Sequence, residues 1–129
     1  PRVVRPLVVP ELVPMLGHPA PVPVYADAAQ LGLDLVRIVC VELWPHLGGS
    51  PAGLHTHAED EIYVLPRQGD EPAEIHVRAG DWEGRMRAPA ALLIPAGTPH
   101  QLTVLRASPG QVILGIFARP PNHPQHTNL

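Results

Sequence analysis

Proline is the feature that most restricts how this chain can fold. The sequence of 129 residues contains 18 prolines, and seven of them lie within residues 1–24. Proline has no backbone N–H, so it breaks the interior of a helix and removes a hydrogen bond from a central strand. We therefore expect short elements joined by many turns and no long helix. Residues 1–24 are predicted to form an extended arm along the body or along a partner subunit.

Beyond this arm, short apolar runs alternate with turns rich in glycine and proline. Residues 33–43 (LDLVRIVCVEL) are rich in β-branched side chains and predict a strand, whereas residues 25–32 are compatible with one short helical turn. No segment has the helical periodicity that a βαβ unit needs. These patterns predict an all-β sandwich or barrel. A further strand is predicted at the end of residues 55–65, and one on each side of a turn at 79–81. Three more are predicted at residues 90–95, 101–107 and 111–118.

The composition fits one globular domain and excludes several classes of function. Hydrophobic residues make up 45% of the chain and charged residues 16%, which is an ordinary globular balance. The net charge of -3 argues against nucleic acid or an acidic membrane surface as a partner. All nine basic residues are arginines, so a lysine Schiff base and a Walker-type phosphate loop are excluded.

The cellular compartment is predicted from cysteine usage and from the N-terminal sequence. Cys40 is the only cysteine, so no internal disulfide can form. Prolines interrupt the apolar N-terminal stretch, which leaves no signal-peptide core and no membrane span. We therefore expect a soluble, cytoplasmic protein.

A group of histidines and one glutamate has the spacing of a metal site. His55 and His57 are two residues apart, so both imidazoles would point to one face of a strand. Glu61 shares that face if the strand stays regular, and His100 follows a stiff Gly/Pro turn at residues 95–99. Three imidazoles and one carboxylate suit Fe(II), Mn(II), Ni(II), Co(II) or Zn(II) better than Ca(II) or Mg(II).

Two segments resemble the two sequence motifs of the cupin superfamily. The first is Gly49-x5-His55-x-His57-x3-Glu61 followed by Gly69, and the second is Pro95-x-Gly97-x2-His100. The resemblance implies a small single-domain cupin-type β-barrel, that is, a double-stranded β-helix or jelly roll. Its core would span residues 33–118, with a Pro-rich arm at 1–24 and a tail at 119–129. The metal ligands that the resemblance implies are His55, His57, Glu61 and His100.

This ligand set leaves one or two open positions on an octahedral ion, where a small oxygenated metabolite could bind the metal directly. Fe(II) is the favoured ion, and it would support dioxygenase or oxidase chemistry. An ion acting as a Lewis acid would instead support a lyase, isomerase or cyclase. A third hypothesis is a small-molecule binder without catalysis. A DNA-binding regulator is disfavoured because no helix-turn-helix segment or basic face is present.

Several other residues are candidates for the same site. Tyr63 and Glu61 are the candidate acid, base or hydrogen-bonding groups. Arg37 is a candidate anchor for a substrate carboxylate if it faces the barrel interior. Glu59 is the alternative carboxylate ligand if the strand begins after His57, Gln101 could support His100, and Cys40 is expected to be a buried structural thiol. We expect a homodimer in which the arms cross. The remaining histidines are interpreted as surface or tail residues: His18, His46, His76, His123 and His126.

Overall fold

The computed structural model describes residues 11–14, 17–19, 21–27 and 35–120. Within these residues the secondary structure is almost entirely β, as the sequence predicts. None of the described helical segments is long and apolar enough to cross a membrane. The strands are β1 Glu11–Val13, β2 Val22–Asp27, β3 Leu35–Glu42, β4 Asp60–Leu65, β5 Glu74–Ala79, β6 Trp82–Arg87, β7 Ala90–Ile94, β8 His100–Arg106 and β9 Val112–Ala118, and a short 3-10 helix covers Trp44–His46.

The strands form two antiparallel sheets. Six strands make the larger sheet in the order β1-β2-β3-β9-β4-β7, and three make the smaller sheet in the order β6-β5-β8. β9, near the C-terminal end, lies between β3 and β4 and pairs with both. Residues far apart in sequence are therefore neighbours at the centre of the larger sheet.

The main hydrophobic core lies between the two sheets. Side chains alternate between buried and half-buried along β4 and β9, as expected for strands with one face on a core. The cluster takes Tyr63 and Leu65 from the larger sheet and Ile75, Val77 and Val104 from the smaller one. Burial of apolar surface from both sheets is the main favourable term that holds them together.

The N-terminal region differs from the prediction in detail. Residues 25–27 belong to β2 instead of a helical turn, and residues 28–32 lie outside the described part of the chain. Two stretches of the predicted arm are strands, because β1 pairs with β2 and β2 pairs with β3. The free edge of β3 offers backbone partners to this segment, which a local proline count does not reveal. Residues 1–10 and 121–129 lie outside the described part, so the crossed-arm homodimer stays a prediction.

Candidate metal centre

Two of the predicted ligands are joined through their backbones. His55 and His100 form an isolated antiparallel bridge, in which His100 N–H donates to His55 O at 2.9 Å and His55 N–H donates to His100 O at 3.2 Å. The bridge is local, because His55 and His57 lie in a non-strand segment and β4 begins only at Asp60. The expectation that the two histidines share a strand face is therefore wrong, although their rings do meet.

The turn before His100 is docked against the segment that carries His57. Gly97 has a positive φ of 79°, which glycine adopts without the steric cost that a side chain would add. Its N–H donates to His57 O at 2.8 Å, and Ala96 N–H donates to the Asp60 carboxylate at 2.8 Å. These hydrogen bonds fix the position of His100 relative to His57.

The three histidines form one cluster. Their ring centroids are 4.7 Å apart for His55 and His57, 4.5 Å for His55 and His100, and 5.1 Å for His57 and His100. One potential ligand atom from each ring lies within 4.8 Å of the others. An ion about 2.1 Å from each nitrogen would place those nitrogens roughly 3–4 Å apart, so a small contraction would bring the three onto one ion.

Backbone carbonyls orient two of the rings. The Nδ1 atom of His55 is 2.5 Å from Gly53 O, and that of His100 is 2.8 Å from Thr98 O. If each Nδ1 carries the proton for these hydrogen bonds, each Nε2 keeps a lone pair directed into the cluster, as metal-binding histidines require. Burial, the largest influence, lowers the pKa of His55, and the neighbouring His100 and His57 lower it further against the Gly53 hydrogen bond.

Glu61 is the carboxylate that contacts the histidines. Its Oε1 atom lies 3.1 Å from His100 Nε2 and 3.4 Å from His57 Nε2. Burial opposes ionisation of this carboxyl, but its close contacts with the two histidines outweigh it and lower its pKa. For His100 burial also opposes the charged form, and the hydrogen bonds to Glu61 and Thr98 outweigh it and raise the pKa. The alternative ligand Glu59 makes no ion pair with a described histidine.

The Nε2 atom of His57 is the feature that a metal ion would explain. It is buried, and the 3.4 Å contact with Glu61 Oε1 lacks hydrogen-bond geometry, so the atom has no hydrogen-bond partner within the described part of the chain. A buried polar atom without a partner costs about 1–3 kcal/mol. Phe117 packs edge-on against the same ring, with a distance of 4.9 Å between the ring centroids. The donor set and this orphaned nitrogen fit a divalent transition metal held by the three histidines, with Glu61 beside them.

A cavity of about 40 Å³ adjoins the cluster. Its walls are mostly apolar and include Val39, Leu102, Ile113 and Phe117, while His18, His55, Glu61 and Tyr63 supply polar groups. Tyr63 is buried, and its ring centroid lies 6.1 Å from that of His100. Burial, and then the charge of Glu61, raise the pKa of the Tyr63 phenol well above its usual range. The hydroxyl therefore stays protonated at neutral pH.

The other candidates lie around this centre. The Arg37 guanidinium lies 5.3 Å from the centre of the Phe117 ring, on the face of β3 that also carries Val39. Cys40 is buried on the opposite face of β3, and Gln101 Nε2 donates to Ala52 O at 3.4 Å.

Two residues at the site were not predicted from the sequence. The interpretation of His18 as a surface or tail residue is wrong, because it lines the cavity and its ring meets that of His55 at a centroid distance of 5.8 Å. Gly115 lies opposite Tyr63 on β9, where a Cβ atom would come within 2.8 Å of Glu61 Oε2. The isolated glycine in the apolar run of β9 is a sequence signal for such a close approach. No local signal distinguishes His18.

Comparisons with known proteins identify the fold. No protein-family model and no curated protein sequence matches the chain. A predicted oxalate decarboxylase from Thermotoga maritima matches with a TM-score of 0.59 and 19% identity, over 92% of this chain and all of that one. An RmlC-like cupin from Shewanella frigidimarina matches with a TM-score of 0.54 and 12% identity, over 88% and 87%. The Fe(II) form of HppE matches with a TM-score of 0.51 and 18% identity, over 75% of this chain and 48% of that one.

Proposed function

We propose that this chain, which has the cupin fold, is a metal-dependent enzyme that binds a small oxygenated metabolite directly on its metal, with Fe(II)-dependent dioxygenase or oxidase chemistry. The observation that carries the proposal is the buried Nε2 atom of His57. It lies 3.4 Å from Glu61 Oε1 without hydrogen-bond geometry, has no other described partner, and belongs to a ring clustered with His55 and His100. The proposed ligands are His55, His57, Glu61 and His100. Mn(II), Ni(II), Co(II) and Zn(II) suit the same donor set.

In this proposal the protein orients the imidazole ligands and keeps water away from the metal site. The backbone carbonyls of Gly53 and Thr98 hold two imidazoles by Nδ1, so those rings would not need to reorganise when a ligand arrives. Apolar walls such as Val39 and Leu102 exclude bulk water beside the cluster. When bound, Fe(II) would supply one-electron chemistry with O2 and open positions for substrate oxygens.

Tyr63 and Glu61 are the proposed groups for proton and hydrogen-bond chemistry. Because the phenol of Tyr63 stays protonated, it is suited to donate a hydrogen bond or a proton, and poorly suited to act as a base. Glu61 is the ionised group and is the better candidate to accept a proton. The small cavity volume favours a substrate with few non-hydrogen atoms.

A non-redox lyase, isomerase or cyclase is the second candidate. Two observations favour it: the chain shares its fold with a predicted oxalate decarboxylase, and an acid and a carboxylate lie side by side at the cluster. In that case the ion would polarise a carbonyl or carboxylate, and Glu61 or Tyr63 would move the proton. Ligand retention without turnover would instead identify a binding protein.

The first test is elemental analysis of anaerobically purified protein, followed by O2 uptake after loading with Fe(II). Near-stoichiometric iron together with O2 consumption in the presence of chelating hydroxyketones or catechols would support the oxygenase. Zinc, nickel or manganese without O2 uptake would support the lyase, isomerase or cyclase. Failure to bind any of these ions would refute the metal site.

Variants then test the ligand assignment. We expect His55→Ala and His100→Ala to lose metal while retaining the β-rich circular dichroism spectrum. His76→Ala is the matched control, because His76 pairs with Glu83 at 3.6 Å on the exposed side of the smaller sheet. Unchanged metal content in both site variants would contradict the assignment.

A further inference from the structure

His18 reaches the histidine cluster from a distant part of the chain. It comes from the short segment 17–19 between β1 and β2, yet it lines the same cavity as Glu61 and Tyr63. Its ring packs against His55 at a centroid distance of 5.8 Å and an interplanar angle of 64°. The His18 imidazole therefore forms part of the cavity wall beside the ring of His55.

The backbone next to His18 is tied to the loop that carries His55. Gly53 N–H donates to Gly17 O at 3.2 Å, and Gly53 O in turn contacts His55 Nδ1. Gly17 has a positive φ of 84°, which side chains rarely adopt, and a Cβ atom there would be in ordinary contact with the His55 ring at 3.4 Å. A residue with a side chain would strain this turn, so glycine suits the close approach that delivers His18 to the cavity.

The imidazole of His18 makes no hydrogen bond within the part of the chain that the structure describes. Each of the three clustered histidines, by contrast, contacts a carbonyl or Glu61. In either protonation state the His18 ring carries at least one N–H donor. A polar donor at the wall of a mostly apolar cavity is the usual means by which such sites orient a ligand.

We propose that His18 contacts the substrate, donating a hydrogen bond to an oxygen of a small ligand whose other oxygens bind the metal. This assignment rests on the proposed function, since it needs a metal on His55, His57, Glu61 and His100. It selects ligands with an oxygen acceptor beyond the two that chelate, such as dicarboxylates and α-keto acids. His18 is thus a specificity-determining residue of the cavity, separate from the metal ligands.

The test uses oxalate as a probe, because it can chelate an ion through two oxygens and leave two more as acceptors. Protein comprising residues 1–129 is loaded with Co(II), whose visible absorption reports both ion binding and oxalate binding. His18→Ala, His18→Phe and His18→Gln are compared with the unmodified protein. The phenylalanine variant keeps a ring against His55 without N–H groups, and the glutamine variant keeps an N–H donor. His76→Phe is the control for a histidine remote from the cavity.

We expect His18→Ala and His18→Phe to weaken oxalate binding about five- to tenfold, the loss of one hydrogen bond, with Co(II) affinity unchanged. His18→Gln should recover part of that loss. Loss of Co(II) affinity in His18→Ala would overturn the proposal, since His18 would then be a ligand or a support for His55. Full oxalate affinity in His18→Phe would also overturn the proposal, because packing of a ring against His55 would then explain the role of this position. An unmodified protein that binds no Co(II) would instead refute the metal site itself, and with it this role.

Discussion

Gly115 is a position where adding one methyl group would directly disturb the proposed metal centre. An ideal Cβ atom there would stand 2.8 Å from Glu61 Oε2 and 2.9 Å from Val39 Cγ2. Ordinary contact begins near 3.4 Å, so in Gly115→Ala the carboxylate has to retreat by about 0.6 Å. Glu61 also holds His100 at 3.1 Å and His57 at 3.4 Å, so its movement would disturb both histidines.

The expected loss of stability combines two opposing terms. Overpacking of a filled interior costs about 1–3 kcal/mol. Replacing glycine by alanine in a strand returns about 0.5–1 kcal/mol, because the unfolded chain has less backbone freedom to lose and Gly115 has no positive φ. The net prediction for Gly115→Ala is a metal-free protein less stable by roughly 1 kcal/mol, and by at most about 2.5 kcal/mol. Displacement of groups that orient metal ligands typically costs 10–100-fold in affinity, and we expect a loss of Co(II) affinity in that range.

Urea unfolding of the metal-free protein and Co(II) titration measure the two effects separately. Gly84→Ala is the matched control, because its Cβ would also meet an atom at 2.8 Å, but that atom belongs to the half-exposed Trp82 ring, which can swing outward. Because Gly84 is also a strand glycine without a positive φ, we expect its unfolding free energy to stay the same or rise by up to about 1 kcal/mol, with no change in Co(II) affinity. A Gly115→Ala protein with unchanged stability and unchanged Co(II) affinity would refute the close packing of Glu61 against β9.

Two further predictions concern stability. In the metal-free protein His100 has a raised pKa, so its protonated form is favoured by folding. Its contribution to stability is complete below pH 6.5, its ordinary pKa, and disappears as the pH rises through the folded-state pKa. Glu61 has a lowered pKa, so its ionised form stabilises the fold above pH 4.5, its ordinary pKa. That contribution is lost as the pH falls through the folded-state pKa. The lowered pKa of His55 opposes the His100 contribution in this range, so the test compares the unmodified protein with Glu61→Gln. The loss of unfolding free energy in Glu61→Gln should be largest between pH 4.5 and 6.5, and a loss that is the same at every pH would contradict the pairing. Gln111→Ala should lower the unfolding free energy by about 1–3 kcal/mol, because the buried amide of Gln111 donates to the backbone carbonyls of Gln68 and Glu71. The control Gln101→Ala, whose amide contact is 3.4 Å long, should change it by less than about 0.5 kcal/mol, and equal losses would contradict this reasoning.

Strands β3 to β9 could be predicted because each of them carries its own sequence signal. The run at 33–43 predicts β3, observed at Leu35–Glu42, and the turn at 79–81 separates β5 from β6 as expected. β2 was missed because its proline suggests a loop, while its pairing depends on a free strand edge supplied by β3. That edge is a property of the assembled sheet, and no local pattern encodes it.

The candidate ligands could be found from motif spacing, although one step in the strand argument was wrong. His57 precedes β4, so its position relative to His55 comes from backbone hydrogen bonds to residues 97 and 100. Glu61 does lie in the strand and faces inward with Tyr63, as alternation predicts. The choice of Glu61 over Glu59 therefore agrees with the contacts in the structure, even though the strand begins three residues after His57.

His18 marks the limit of reasoning from spacing. It lies 37 residues before His55 in a proline-rich segment, and its approach depends on the pairing of Gly17 with Gly53. The entropic cost of closing a loop of this length rises only slowly with its length, so distant segments can supply site residues at modest cost. Sequence spacing constrains only residues within one element or one turn, where geometry is local. A site assembled from residues 17–19, 53–61 and 95–100 therefore shows its first histidine only after the chain has folded.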